Sequence, residues 1–241
     1  MAMHPVICKI GPLTIYSYGL MLALAVGICT ILLSRDARRL NIKPDCILDL
    51  VFWVVLSGIL GARAFYIFLN LEYFSNYPEE MIKIHKGGLA WQGALILGTV
   101  SGIVFMRKNG LPLWKTLDLV GPYLALGQAI GRLGCLLNGC CFGREFSKGI
   151  FFSVHQKFLY PTQLYESTGL LIVFFILKRY QAGNPREGRT FLLYLILASL
   201  ERFFVEFFRG DHIITWLGLS LFQMISLIII AAASFVFWRL R

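Results

Sequence analysis

Three stretches of this sequence set ionisable side chains inside otherwise apolar runs. The densest is Gly131-Arg-Leu-Gly-Cys-Leu-Leu-Asn-Gly-Cys-Cys-Phe-Gly143. Its four glycines permit close backbone approach and turns with positive φ, and Arg132 offers a planar fork of donors suited to a phosphate. The alternative is a glycine-lined helix contact with Arg132 neutralised by a carboxylate. The second stretch is Glu201-Arg-Phe-Phe-Val-Glu-Phe-Phe-Arg209. Arg202 and Glu206 are four residues apart, so they share a helical face and can pair; Arg209 follows three later on the same stripe, and Glu201 lies one step round. The interleaved phenylalanines imply an apolar setting in which such charges need partners. The third is Arg63, in Gly58-Ile-Leu-Gly-Ala-Arg-Ala-Phe-Tyr66, where Gly58, Gly61 and Ala62 would let another helix approach. It is expected either to pair with a carboxylate or to meet a phosphate. A charge at membrane depth costs about 2.5 to 3.5 kcal/mol, which makes each of these residues a functional candidate.

The elements that must carry them are membrane spans. Of 241 residues, 57% are hydrophobic and only 15% charged, and the mean hydropathy is +0.69. The apolar residues form near-continuous runs long enough to cross a hydrocarbon core of roughly 30 Å. The spans are predicted at 15–33, 48–69, 89–106, 116–136, 162–179, 190–208 and 214–238. Gly121-Pro122 interrupts the fourth, so a broken helix beside a cavity is expected there. The first run follows a nearly uncharged leader without a small-residue cleavage site and is read as a retained helix. The net charge of +10 comes from Lys and Arg in short groups between apolar runs, which points to an anionic membrane surface and not to nucleic acid. Thirteen of the 23 Lys and Arg fall on one side of this arrangement, seven on the other, and Arg63, Arg132 and Arg202 within or at the ends of spans. The positive-inside rule then sets the N-terminus outside and the C-terminus in the cytoplasm. The expected fold is an all-α polytopic bundle of about seven helices, a single domain over 1–241 with periplasmic loops near 71–88 and 137–161.

Four segments in order, Tyr16-Ser-Tyr-Gly-Leu-Met21, the Arg132 segment, Tyr160-Pro-Thr-Gln-Leu-Tyr-Glu-Ser167 and 201–209, resemble the successive signatures of prolipoprotein diacylglyceryl transferases. The resemblance runs from about His4 to the C-terminus. It implies a multi-pass enzyme of the bacterial inner membrane, without cofactor. Its donor would be phosphatidylglycerol, in contact with other membrane lipids, and its acceptor the lipobox cysteine in the signal peptide of a preprolipoprotein. A thioether forms and glycerol phosphate leaves. By motif position, Arg132 and Arg202 are the implied catalytic arginines. Tyr18, Asn138, Gly143, Gln163, Tyr165, Glu166 and Glu206 are implied site residues, and Arg63, Gln92 and Arg209 are taken with them as substrate-binding candidates.

The chain departs from that pattern in two places. In Gly87-Gly-Leu-Ala-Trp-Gln-Gly93 the family commonly has histidine where this chain has Gln92, and Gln cannot accept a proton at neutral pH. His85 lies seven residues earlier, across two glycines. Cys135 stands where asparagine is usual, and Cys140 and Cys141 replace polar residues. A C-x4-C-C spacing is not a recognised zinc pattern. No metal is therefore expected; the cysteines are read as small packing residues, or for Cys140 and Cys141 as disulfide partners near the outer face. A paralogue with another acceptor fits these departures. An intramembrane anion or lipid transporter would also use buried Arg and a broken helix, but it would favour inverted repeats, and none is visible.

Overall fold

The computed structural model describes residues 5–10, 13–39, 42–83, 87–210 and 218–240. In chain order its elements are β1 Val6–Ile10, β2 Leu13–Tyr16, α1 Ser17–Arg39, α2 Pro44–Leu69, α3 Leu71–Asn76, α4 Trp91–Lys108, α5 Leu113–Asn138, β3 Glu145–Phe152, β4 Lys157–Leu159, α6 Thr162–Gln181, α7 Arg189–Val205 and α8 Leu221–Arg239. Single 3-10 turns occupy Pro78–Ile82 and Glu206–Phe208. The chain is mostly helical. Ser17–Arg38, Pro44–Leu69 and Leu221–Arg239 are long and apolar enough to cross a membrane by length and composition alone. Each of the seven predicted runs overlaps one long helix. Two antiparallel hairpins, β1–β2 and β3–β4, add to the all-helical expectation. The second exists because Phe152 and Leu159, on its two strands, are buried against Leu136 at the end of α5.

Contacts divide the chain into two compact units, Ser34–Thr116 and Met1–Leu33 with Leu117–Arg241. In the smaller unit α2 packs on α4 through glycines. A Cβ at Gly61 would fall 2.4 Å from the Gly93 carbonyl oxygen, and one at Gly93 would fall 2.1 Å from that of Gly61. Only glycine permits this backbone-to-backbone contact, which fits the approach expected around Gly58 and Gly61.

In the larger unit α5 runs unbroken through Pro122, contrary to the interruption expected there. Proline has no N–H to give the carbonyl four residues back, which is that of Asp118. Gln181, at the end of α6, supplies the missing donor: its Nε2 lies 3.1 Å from the Asp118 carbonyl oxygen. The Asp118 carboxylate meanwhile accepts from the backbone N–H groups of Gly188 at 2.6 Å and Phe191 at 2.8 Å, capping the start of α7. One residue thus ties three helices together, so no cavity is needed. Ala125, Val173, Leu177 and Tyr194 form the core between α5, α6 and α7.

Candidate active site

The charged residues converge on Glu166, on the first turns of α6. Glu166 is only 1% exposed, a position an ionised carboxylate tolerates only when paired. Its Oε2 pairs with Arg132 Nε from α5. Its Oε1 accepts from Arg202 Nη1 of α7 at 2.7 Å and from Arg209 Nη1 at 3.3 Å. The ion pair expected from the i, i+4 spacing is present, with Arg202 Nη2 2.7 Å from Glu206 Oε2. The α-helix stops at Val205 and a 3-10 turn carries the chain on, yet Arg209 Nε still lies 3.8 Å from Glu206 Oε2. Glu206 in turn accepts at Oε1 from the Ser220 hydroxyl, 2.8 Å away. Ser220 caps α8 in a reciprocal capping box with Gln223, which sets the start of that helix against the cluster.

Three guanidinium groups therefore face two fully buried carboxylates. Arg202 is spread across both and stacks on Phe222, 4.8 Å from the ring centre. Arg132 is engaged through Nε alone, its side chain is 28% exposed, and its two terminal nitrogens meet no acceptor among the described residues. Glu201 lies within electrostatic reach of Glu166, Arg132 and Arg202. Its buried Oε1 has no hydrogen-bond partner among the described residues. A cleft of about 220 Å³ runs between α7 and α8, lined by Leu195, Ala198, Ser199, Phe222 and Ile225, and reaches Arg202.

The other predicted site residues divide by what they touch. Tyr18, at the start of α1, is exposed and sits over Gly134 of α5. Tyr165 is exposed, edge-on to Phe208. Asn138 is the last residue of α5. Gln163 is fully buried and donates through Nε2 to the Cys140 carbonyl at 2.6 Å, while its Oε1 has no hydrogen-bond partner among the described residues. Gly143 is buried, with Phe208 O and Tyr160 Cβ 2.6 and 2.5 Å from where a Cβ would stand; it is a close-packing position. In the smaller unit Arg63 meets no carboxylate among the described residues. It donates to four backbone carbonyls, from Nε to Met81, from Nη1 to Gly87 and Gly88, and from Nη2 to Glu80. It anchors the loop before α4, because an arginine fork can satisfy several orphan carbonyls at once. Gln92 is half-buried in the first turn of α4. His85 lies outside the described residues.

Sequence reasoning did not foresee Glu166 as the shared carboxylate or Ser220 as its neighbour's support. The first showed in sequence only as a carboxylate at membrane depth without a partner in its own segment, the second as a Ser-x-x-Gln capping box.

Helices long and apolar enough to cross a membrane, together with a buried arginine cluster held on shared carboxylates, define the class as a membrane protein with ion pairs in its interior. A family model described as Prolipoprotein diacylglyceryl transferase matches residues 5–239. Three relatives bear the name phosphatidylglycerol--prolipoprotein diacylglyceryl transferase. That of Bacillus velezensis is 33% identical over 242 residues, spanning 95% of this chain and 89% of the relative. That of Trichormus variabilis is 38% identical over 240 residues, 92% and 84%. That of Geobacillus kaustophilus is 35% identical over 248 residues, 98% and 92%. This chain belongs to the prolipoprotein diacylglyceryl transferase family.

Proposed function

We propose that this chain transfers the diacylglyceryl group of phosphatidylglycerol to the lipobox cysteine of a preprolipoprotein, at the outer side of the bacterial inner membrane. The observation that carries this reading is the arginine cluster around Glu166: three guanidinium groups on two carboxylates, with the terminal nitrogens of Arg132 meeting no acceptor among the described residues. A phosphodiester headgroup would give the exposed Arg132 fork its anionic partner. The acceptor sulfur attacks the glycerol carbon, the C–S bond forms as the C–O bond to phosphate breaks, and glycerol phosphate leaves with one more negative charge than it had as a diester. Arg132 and Arg202 are the proposed catalytic arginines. Arg132 meets the phosphate through two parallel hydrogen bonds, and the contact strengthens as charge develops. Arg202, held by Glu166 and Glu206, adds its field from a preorganised position.

The thiol must lose its proton. A cationic pocket favours the thiolate, and Glu201, whose Oε1 has no hydrogen-bond partner among the described residues, is the group that would receive the proton, since Gln92 cannot. The apolar cleft between α7 and α8 suits a donor acyl chain whose headgroup end lies at Arg202. Tyr18, Asn138 and Tyr165 remain candidates for headgroup or peptide contact.

We take the fold as seven spans over 1–241, with N-terminus outside, C-terminus in the cytoplasm and periplasmic loops near 71–88 and 137–161. The thirteen-to-seven division of Lys and Arg supports it.

The test is purified protein with phosphatidylglycerol and a lipobox peptide, following glycerol phosphate release and the mass of the peptide. Arg132→Lys and Arg202→Lys should each lose turnover by about 100-fold, as the loss of one oriented charge donor does. An ammonium is a point charge without the fork. Near-normal turnover in both variants would remove the arginines from the chemistry.

A further inference from the structure

The cysteines of the 131–143 segment take no part in the reaction proposed above, yet the fold gathers them. α5 ends in a Schellman turn: Gly139, at φ 76°, donates from its N–H to Leu136 O at 3.1 Å, and Cys140 N–H donates to Cys135 O at 3.1 Å. This turn brings the second residue beyond the cap against the third residue before it. Those two residues are Cys140 and Cys135. Cys141 then adopts φ 60°, a left-handed conformation that costs a residue with a Cβ about 1 to 2 kcal/mol. The consequence is that the sulfur atoms of Cys135, Cys140 and Cys141 all lie within 4.8 Å of one another. All three are free thiols, Cys135 buried and the other two half-buried.

The backbone carrying them is fixed from α6. Thr162 Oγ1 donates to the Cys141 carbonyl at 2.8 Å and Gln163 Nε2 to that of Cys140 at 2.6 Å, and both side chains are fully buried. His155 Nε2 lies 2.8 Å from the Gly139 carbonyl and holds the turn from the β3–β4 hairpin. Such outer contacts are what hold metal ligands in position. A disulfide would use two of the sulfurs and strand the third. A metal ion with bonds of about 2.3 Å to each would hold the three roughly 4 Å apart, which is compatible with sulfurs that already lie within 4.8 Å of one another.

We propose that Cys135, Cys140 and Cys141 form a three-thiolate site for a thiophilic d10 cation, Zn2+ or Cu+. Three S–H bonds break on binding, three metal–sulfur bonds form, and three protons pass to solvent. Cu+ is satisfied by three thiolates, whereas Zn2+ takes a fourth ligand from water or a nearby side chain. The bound ion would lock the end of α5, with Asn138, beside Arg132. The sequence spacing hides this site because the helix-ending turn provides the fold-back that zinc patterns usually obtain from a longer loop.

The test uses the full chain, purified in detergent under reducing, oxygen-free conditions and loaded in separate arms with Zn2+ or Cu+. Metal retained after desalting is measured by elemental analysis, and Co2+ loading is followed by its thiolate charge-transfer absorption. We expect one ion per chain in one of the two arms, the same absorption with Co2+, and at least a tenfold loss of retention in Cys135→Ala and in Cys141→Ala. Both variants should elute as wild type on size exclusion, and Cys46→Ala serves as a control that keeps the ion. Absence of retained metal from both wild-type arms overturns the proposal. So does a wild-type mass lower by two hydrogens that reductant restores, which would identify a disulfide. The readout is independent of transferase turnover.

Discussion

Replacing Glu166 with Gln keeps the side-chain volume and removes one charge from the centre of the cluster. Arg132, Arg202 and Arg209 all meet this carboxylate, and Arg202 and Arg209 alone would share Glu206 afterwards. At 1% exposure no water can substitute for the lost charge. Removing one partner of a buried pair costs about 3 to 5 kcal/mol. For a chain of this size each kcal/mol shifts Tm by about 2 to 4 °C, so Tm in detergent should fall by roughly 6 to 20 °C. Turnover should fall by about 100-fold or more even below that Tm, because a guanidinium displaced by about 1 Å loses its reactive alignment. Adding Arg209→Met to Glu166→Gln removes one uncompensated charge. It should recover several degrees of Tm and leave turnover low, because stability depends on total charge balance whereas turnover depends on where Arg132 points. The assays are thermal unfolding followed by intrinsic fluorescence and glycerol phosphate release at a fixed temperature below both transitions. If Glu166→Gln leaves Tm and turnover unchanged, Glu166 is not the anchor of the arginines and the charge argument fails with it.

Reporter fusions after Lys43, Arg107, Arg186 and Arg241 should read cytoplasmic, and fusions near Glu79 and Lys148 periplasmic; a periplasmic C-terminus would sink the seven-span reading. Glu201→Gln should lower turnover more than Gln92→Ala does and remove the acid limb of the pH–rate profile, and the opposite ranking would remove Glu201 from the proton-accepting role. Ala198→Phe should obstruct the cleft between α7 and α8 and raise KM for the lipid donor about tenfold, or about 1.4 kcal/mol, with little change in kcat; an unchanged KM would place the acyl chain elsewhere. Ser220→Ala removes both the α8 cap and a hydrogen bond to Glu206, so Tm should drop by about 2 to 8 °C, as expected for the loss of about 1 to 2 kcal/mol.

What could be read without coordinates was local. Runs of apolar residues foretold each long helix because a helix satisfies its own backbone within one segment, whatever its neighbours are. The Arg202–Glu206 pair followed from 3.6 residues per turn, and the glycines around Gly61 announced a close helix contact. The same reasoning shows that charges at depth need partners, but not which partners, since pairing between segments depends on how helices pack. Glu166 lies 36 residues from Arg202 and 43 from Arg209, and no pattern in either segment names the other. Gly121-Pro122 looked like a break because sequence displays the missing N–H, whereas the donor that offsets it is Gln181, on a different helix. The partners of Arg63 were hidden for a related reason: four backbone carbonyls accept from its guanidinium, and a backbone carbonyl has no signature in sequence. The residue types announced that this chain handles charge within a membrane; tertiary packing decided which charges meet, because in an apolar interior each must find its partner across space.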